Sequence, residues 1–324
     1  MPNLPEPGRV VAVVVAFNRR ELLVEALSAL QAQTHQLHAI VVVDNASDDG
    51  SGGAALAAAP GIDLVTLARN TGGAGGFAAG MARALERHDP QWLWLMDDDT
   101  IPTETAAAEL VAAAGSIDGV TIAGSRVVWT DGQDHPMNTP RQKPFVGRVE
   151  REAATAAGCL AVRSSSFVSM LVSADAVRRH GLPVADYFIW NDDFEFSTRI
   201  LRRSRGVFVP ASVVVHKTKK LGSTDLDPGE RFFFEVRNKV WLMLFSRGLT
   251  FGEKVLYGGS SVRRWVRTIR NSQQRGVLLK QLRRGLAAGV RRGPRGNAEV
   301  LGELGETTRE VVAVEAGGAA MRRG

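Results

Sequence analysis

Cysteine is almost absent: Cys159 stands alone in 324 residues, so no internal disulfide can form and packing must hold the core. That usage suits a reducing, cytoplasmic compartment. Long apolar runs are missing as well. Val10–Ala16 and Val240–Phe245 fall far short of the roughly 20 residues that span a bilayer, so any membrane contact is expected to be peripheral. No secretory leader is visible, because Pro2, Pro5, Glu6 and Pro7 precede the first apolar run without a basic segment. No internal repeat occurs. Between Arg263 and Arg295 acid disappears altogether, with eleven Lys or Arg and no Asp or Glu. That segment alone turns an otherwise acidic chain basic, and it suits an anionic partner such as a lipid surface. Trp265 is its only aromatic residue, so it lacks the stacking platforms of a strand-binding protein, and nucleic acid is not an expected partner.

What is present is a regular alternation. Val10–Phe17 and Ile40–Val43 are Val-rich runs, and Glu21–Gln33 between them carries Leu22, Leu23, Ala26, Leu27 and Leu30 at helical spacing. This reads as a βαβ unit with a buried parallel sheet. Ile62–Leu67, Gly76–Arg87 and Trp92–Met96 continue it as strand, helix, strand. Beyond a helix at Pro102–Ala114 the alternation loosens. Strands are expected at Val120–Trp129, Phe167–Val172 and Val207–Val215, helices at Ala174–His180 and Asp193–Arg203, and a long loop at Asp131–Val149. The fold class is therefore α/β, with a core over 1–225, split near residue 125. A basic helical region over 226–324 ends in a small-residue tail from Gly317.

Four polar clusters punctuate this pattern. Asp97-Asp98-Asp99 follows the apolar run Trp92–Met96. Three adjacent carboxylates repel one another unless a cation is present. Alternate residues of an extended segment share a side, so Asp97 and Asp99 can grip one hard ion, Mg²⁺ or Mn²⁺. Asp44-Asn45-Ala46-Ser47-Asp48-Asp49-Gly50 follows the second strand in the same way; it is either a nucleoside contact or a locally capped turn. Asn70-Thr71-Gly72-Gly73-Ala74-Gly75-Gly76-Phe77 opens a helix whose N-terminus favours negative charge, yet it is neither a Walker A loop nor a dinucleotide fingerprint. Trp190-Asn191-Asp192-Asp193-Phe194-Glu195-Phe196 is a second acidic cluster, a candidate general base or a helix-start charge set. Asp193 and Glu195 lie two apart on a helix and so serve different sides. His216 ends an apolar strand beside Lys217, Lys219 and Lys220, where imidazole can complete a carboxylate metal site and the lysines can meet phosphate.

In this order the clusters resemble the inverting glycosyltransferases of family 2, which have the GT-A fold, and Val14-Val15-Ala16-Phe17-Asn18-Arg19 adds to the likeness. It spans about residues 9–240. Within that family the chain is most similar to actinobacterial galactofuranosyltransferases, with rhamnosyltransferases as near relatives; Arg231-Phe232-Phe233 and Arg237-Asn238 fit both. The resemblance implies a nucleotide-sugar donor, with UDP-galactofuranose ahead of dTDP-rhamnose. It implies a glycan or polyprenyl-diphosphate-linked acceptor in cell-envelope synthesis. Phe17, Arg19, Asp44, Asn70, Gly72, Gly73 and Asp98 would line the donor site. Asp97, Asp99 and His216 would hold Mn²⁺ or Mg²⁺. Asp193 or Asp192 would be the base, Trp190 would stack on the acceptor sugar, and Glu195 would orient acceptor hydroxyls. The basic stretch Arg263–Arg295, with Val262, Trp265, Val266 and Ile269 at helical spacing, would rest on the inner face of an anionic membrane. Competing readings are a non-catalytic nucleotide- or carbohydrate-binding protein and a nucleotidyltransferase.

Overall fold

The computed structural model describes residues 8–138, 140–218 and 227–321. Lys219 and Lys220 fall outside them. The first half alternates as expected: β1 (Val10–Ala16), α1 (Arg20–Gln31), β2 (Ala39–Asp44), α2 (Ser51–Ala58), β3 (Asp63–Thr66), α3 (Gly72–His88) and β4 (Trp92–Asp97). Strands β1, β2, β3 and β4 are parallel neighbours in the order β3-β2-β1-β4. Every residue of β1 is buried. Val11, Val13 and Val15 face one core with α3, while Val10, Ala12 and Val14 face another with Leu23 and Leu27 of α1.

Because the strands run the same way, their carboxyl ends converge. Ala16 pairs with Asp44, Asp44 with Thr66, and Val15 with Asp97. Open α/β sheets bind ligands at this edge. The sheet then extends through β5 (Thr100–Pro102), β6 (Val120–Val128), β7 (Arg141–Gln142), β8 (Leu160–Ser164), β9 (Met170–Ser173) and β10 (Arg205–His216). β9 inserts antiparallel between β4 and β6, and β6 runs parallel to β10. The hook β5 folds back along the end of β10, pairing Thr100 with His216. Helices α4 (Ala106–Ser116), α5 (Arg148–Ala156), α6 (Ala174–His180) and α7 (Asp192–Ile200) complete this part.

Some elements escaped the pattern. α2 is rich in Ala and Gly and shows no stripe; α5 and the two-residue β7 sit inside or beside the stretch expected to be a loop. Five helices follow: α8 (Phe232–Leu244), α9 (Phe251–Asn271), α10 (Arg275–Arg291), α11 (Asn297–Val300) and α12 (Glu306–Met321). They do not hang free. Val311 and Val314 of α12 join the α3 core, and Arg83 bridges Asp63 and Glu310 at 2.8 Å each. The small-residue segment expected as a tail is helical through Met321 for that reason.

Candidate active site

The β5 hook decides the site's geometry. It places His216 beside the acidic triplet, and the Lys217 N–H donates to the Asp99 carbonyl at 2.8 Å. One ligand atom each from Asp97, Asp99 and His216 then lie within 4.8 Å of one another. His216 Nε2 stands 3.2 Å from Asp99 Oδ1, a buried oxygen with no hydrogen-bond partner. Two carboxylates, one with an orphaned oxygen, and an imidazole this close together fit a hard divalent cation.

The imidazole is prepared from behind. The Asn138 amide donates to Ser166 Oγ at 3.1 Å, which leaves its Oδ1 facing His216 Nδ1 at 3.0 Å. An acceptor there keeps the proton on Nδ1 and the lone pair on Nε2, towards the carboxylates. Sequence reasoning missed Asn138, because it lies in a segment without periodicity.

The triplet's charges split by environment. Desolvation, then the neighbouring Asp99 and Asp98, push Asp97 well above the usual carboxylate range. Burial also lifts Asp98, to about 7, against the pull of Arg19 and of the Phe17 N–H, which donates to Asp98 Oδ2 at 3.0 Å. At Asp99 burial is outweighed by His216 in its doubly protonated form and by Arg19, which hold the carboxyl below the ordinary value. Arg19 pairs with both Asp98 and Asp99.

The donor-side loops are tied to one another. Asn45, buried, accepts from Thr71 N at 2.8 Å and donates to the Gly72 carbonyl at 3.0 Å. Asp44 is buried and accepts from Ser47 N, while Asn70 accepts from Gly72 N. Gly73 is half-buried at the start of α3. The glycines matter for packing too. A Cβ on Gly76 or Gly80 would meet Val15 or Val13 at 2.5 Å, so their bare backbone lets α3 lie against β1.

The second acidic cluster closes the cleft. Asp192 and Asp193 start α7, and Asp192 adds to the field that raises Asp97. Burial, then the adjacent Asp193, pushes Asp192 up to about 8. Burial raises Asp193 too, but Lys239 and Arg141 pull the other way. Asp193 lines a cavity of about 160 Å³ together with Arg141, Lys239 and Ser166. A larger one of about 500 Å³ adjoins it, sharing Arg141, Asn191 and Arg264, and is walled by Trp190, Phe232 and Trp265. The Arg141 guanidinium stands against the rings of both Phe194 and Tyr257, which themselves pack edge to face at 5.3 Å. Lys239, Arg141 and Ser166 gave no sequence signal, since they arrive from separate elements.

Glu195 goes elsewhere. Its buried carboxylate accepts from Arg199 at 3.1 Å and from Ser246 at 2.9 Å, and Arg199 also reaches the carbonyls of Gly181 and Leu182. Two residues along the helix from Asp193, it points away from the side that faces the cavity, and it stands with the packing between α6 and α7.

A model of the family described as glycosyl transferase family 2 matches residues 11–177. Curated relatives include galactofuranosyltransferase GlfT1 of Mycolicibacterium smegmatis, 30% identical over 199 residues, which are 60% of this chain and 65% of that protein. GlfT1 of Mycobacterium tuberculosis is 33% identical over 199 residues, 60% of this chain and 64% of that protein. The chain thus matches less than two thirds of these relatives' length. Among solved structures, S. aureus TarS aligns with TM-score 0.58 at 14% identity, over 96% of this chain and 55% of that one. The mannosyltransferase PcManGT of Pyrobaculum calidifontis, solved with GDP-Man and Mn²⁺, aligns at 0.52 and 16% identity, over 98% and 89%. GalNAc-T7, solved with UDP, GalNAc and Mn²⁺, aligns at 0.56 and 15% identity, over 80% and 55%. These likenesses establish the GT-A fold.

Proposed function

The chain belongs to glycosyl transferase family 2, and we propose that it moves a sugar from a nucleotide-diphosphate donor to a glycan or glycolipid acceptor, with inversion. The observation that carries this reading is the Asp97, Asp99 and His216 group at the carboxyl ends of the parallel strands, facing a second acid pair. The galactofuranosyltransferase relatives favour galactofuranose from UDP-galactofuranose, and a lipid-diphosphate-linked acceptor.

In this reading Asp97, Asp99 and His216 hold Mn²⁺ or Mg²⁺, which supplies charge stabilisation for the departing diphosphate. Asp44 contacts the nucleoside. Asn70, Gly72 and Gly73 border the donor, with Phe17 and Asp98 at its base. Arg19, half exposed, adds a guanidinium for phosphate. Asp193 is taken as the base rather than Asp192 because Asp193 lines the cavity, where the Phe194 N–H, Lys239 and Arg141 favour its ionised form against its burial. It takes the acceptor hydroxyl's proton as that oxygen bonds to the anomeric carbon. The bond from that carbon to the diphosphate oxygen breaks, and the nucleotide diphosphate leaves. Trp190 offers a ring for the acceptor sugar in the larger cavity.

A membrane role for α9 belongs to the same reading. Its outer face exposes Phe251, Val255, Leu256, Val262 and Val266 next to Arg263, Arg267 and Arg270, while its inner face gives Arg264 and Trp265 to the larger cavity. An apolar stripe beside cations suits an anionic lipid interface on the inner side of a cell membrane. Among the described residues no helix is long and apolar enough to cross one.

The test is a panel of nucleotide sugars, UDP-galactofuranose and dTDP-rhamnose included, with Mn²⁺ and a short glycolipid acceptor. Acceptor-dependent release of nucleotide diphosphate supports the reading. Silence across the whole panel, with metal and acceptor present, overturns it.

A further inference from the structure

The segment just before the acid pair is backbone that its sequence does not favour. Phe188 has φ 63° and ψ −62°, and the Ile189 N–H donates to the Tyr187 carbonyl at 2.8 Å. That is a γ-turn of the strained hand. Trp190 and Asn191 follow, both at φ 66°. Three non-glycine departures within four residues persist only where the surroundings over-determine them.

Helix α8 provides those surroundings. Asn238, fully buried, aims its amide nitrogen at the carbonyls of Tyr187, Ile189 and Trp190, each 2.9 Å away. Its Oδ1 accepts from the neighbouring Arg237 at 2.9 and 3.0 Å, which fixes which end of the amide faces the loop. Arg237 itself donates to the carbonyls of Asp186 and Tyr187 at 2.6 and 3.1 Å. Nearly one turn earlier, Glu235 accepts from the Asn191 side chain at 2.9 Å. From the opposite side the donor loop grips the same turn: the Ala74 N–H donates to the Phe188 carbonyl at 3.2 Å. That carbonyl sits 2.0 Å from where a Cβ on Gly72 would lie, so only glycine fits there.

We propose that Asn238 is a positioning residue: its amide holds residues 187–190 in this turn, and so sets the Asp192–Asp193 pair at a fixed place against the glycine loop of the donor site. The inference rests on the reading above for what the pair does, but not for how the segment is held. Asn238 touches no reacting atom. Its donors face only carbonyls, and no other side chain on the described residues reaches three of them in this segment.

Asn238→Asp tests it, because Asp has the same shape and still accepts from Arg237 but has lost the donating NH₂. Three readouts are taken on the full chain: transfer kinetics, UDP binding with Mn²⁺ by calorimetry, and hydrogen exchange by mass spectrometry. The expected result is a kcat at least about 30-fold lower, UDP affinity within about threefold of the parent, and faster exchange confined to peptides over residues 186–194. Gly72→Ala should speed exchange in the same peptides by pushing Phe188 aside. Unchanged exchange at 186–194 in Asn238→Asp overturns the proposal, and so does exchange that rises throughout the chain, since Asn238 is then a general packing residue. If the parent itself transfers no sugar, the functional reading fails, while the exchange data still decide whether Asn238 holds the turn.

Discussion

Replacing Asp192 with Asn should make the protein more stable, although it removes a carboxylate from the centre of the site. Asp192 is buried, and its carboxyl is raised from 3.8 to about 8 by burial and then by Asp193. The folded state therefore keeps the proton across the range in which the unfolded chain gives it up. Stability falls as pH rises from about 4 to about 8, because the unfolded state releases a proton that the folded state retains. At pH 7 the window between 3.8 and 7 amounts to about 3 pH units, at about 1.4 kcal/mol each. The cost is then at most about 4 kcal/mol, and Asn, uncharged at every pH, avoids it. The assay is urea unfolding of parent and Asp192→Asn in EDTA from pH 5 to 8. The gain should be small at pH 5 and grow with pH. A variant that is less stable than the parent, or a gain that does not change with pH, refutes the reasoning. The same variant should still transfer sugar within about tenfold of the parent, whereas Asp193→Asn should lose about 10²- to 10⁴-fold as a missing base does.

Asn138→Leu removes the acceptor behind His216 and should weaken Mn²⁺ binding about 10- to 100-fold, measured by electron paramagnetic resonance, while Asn138→Asp keeps most of it. Glu195→Ala leaves the half-buried Arg199 and the buried Ser246 without their acceptor, so it should cost about 1–3 kcal/mol in unfolding experiments; a stable variant with only a raised acceptor KM would return Glu195 to the acceptor site. Phe251→Glu with Leu256→Glu should abolish flotation with anionic liposomes and leave transfer to a water-soluble acceptor unchanged; flotation equal to the parent's removes α9 from the membrane surface.

The donor half was legible because it obeys local rules. Val-rich strands, a leucine-striped helix and acids at strand ends are short-range signals, and β1 to β4 lie within a residue or two of where periodicity puts them. The pairing of Asp97 and Asp99 with His216 is a different matter. Over a hundred residues separate them, and the three-residue β5 hook that joins them has no periodicity to read. Its place at the end of an apolar strand marked His216 as able to complete a carboxylate site, and the resemblance to family 2 joined it to Asp97 and Asp99. The cavity walls were hidden for the same reason: Arg141 arrives on a two-residue strand, Ser166 on a loop, and Lys239 on the inner face of α8. Glu195 shows another side of this: the resemblance implied a role in orienting acceptor hydroxyls, while the i, i+4 spacing to Arg199 was the local signal for the ion pair that the structure shows. The glycine loop had both meanings at once, with Gly72 yielding to Phe188 and with Gly76 and Gly80 yielding to β1.

The most direct measurement is calorimetric titration of UDP into the protein with Mn²⁺, then in EDTA, for the parent and for Asp99→Asn. Binding that requires Mn²⁺ and disappears in Asp99→Asn is the outcome expected if Asp97, Asp99 and His216 hold a cation against the diphosphate. Binding of equal strength in EDTA, or in Asp99→Asn, would contradict it.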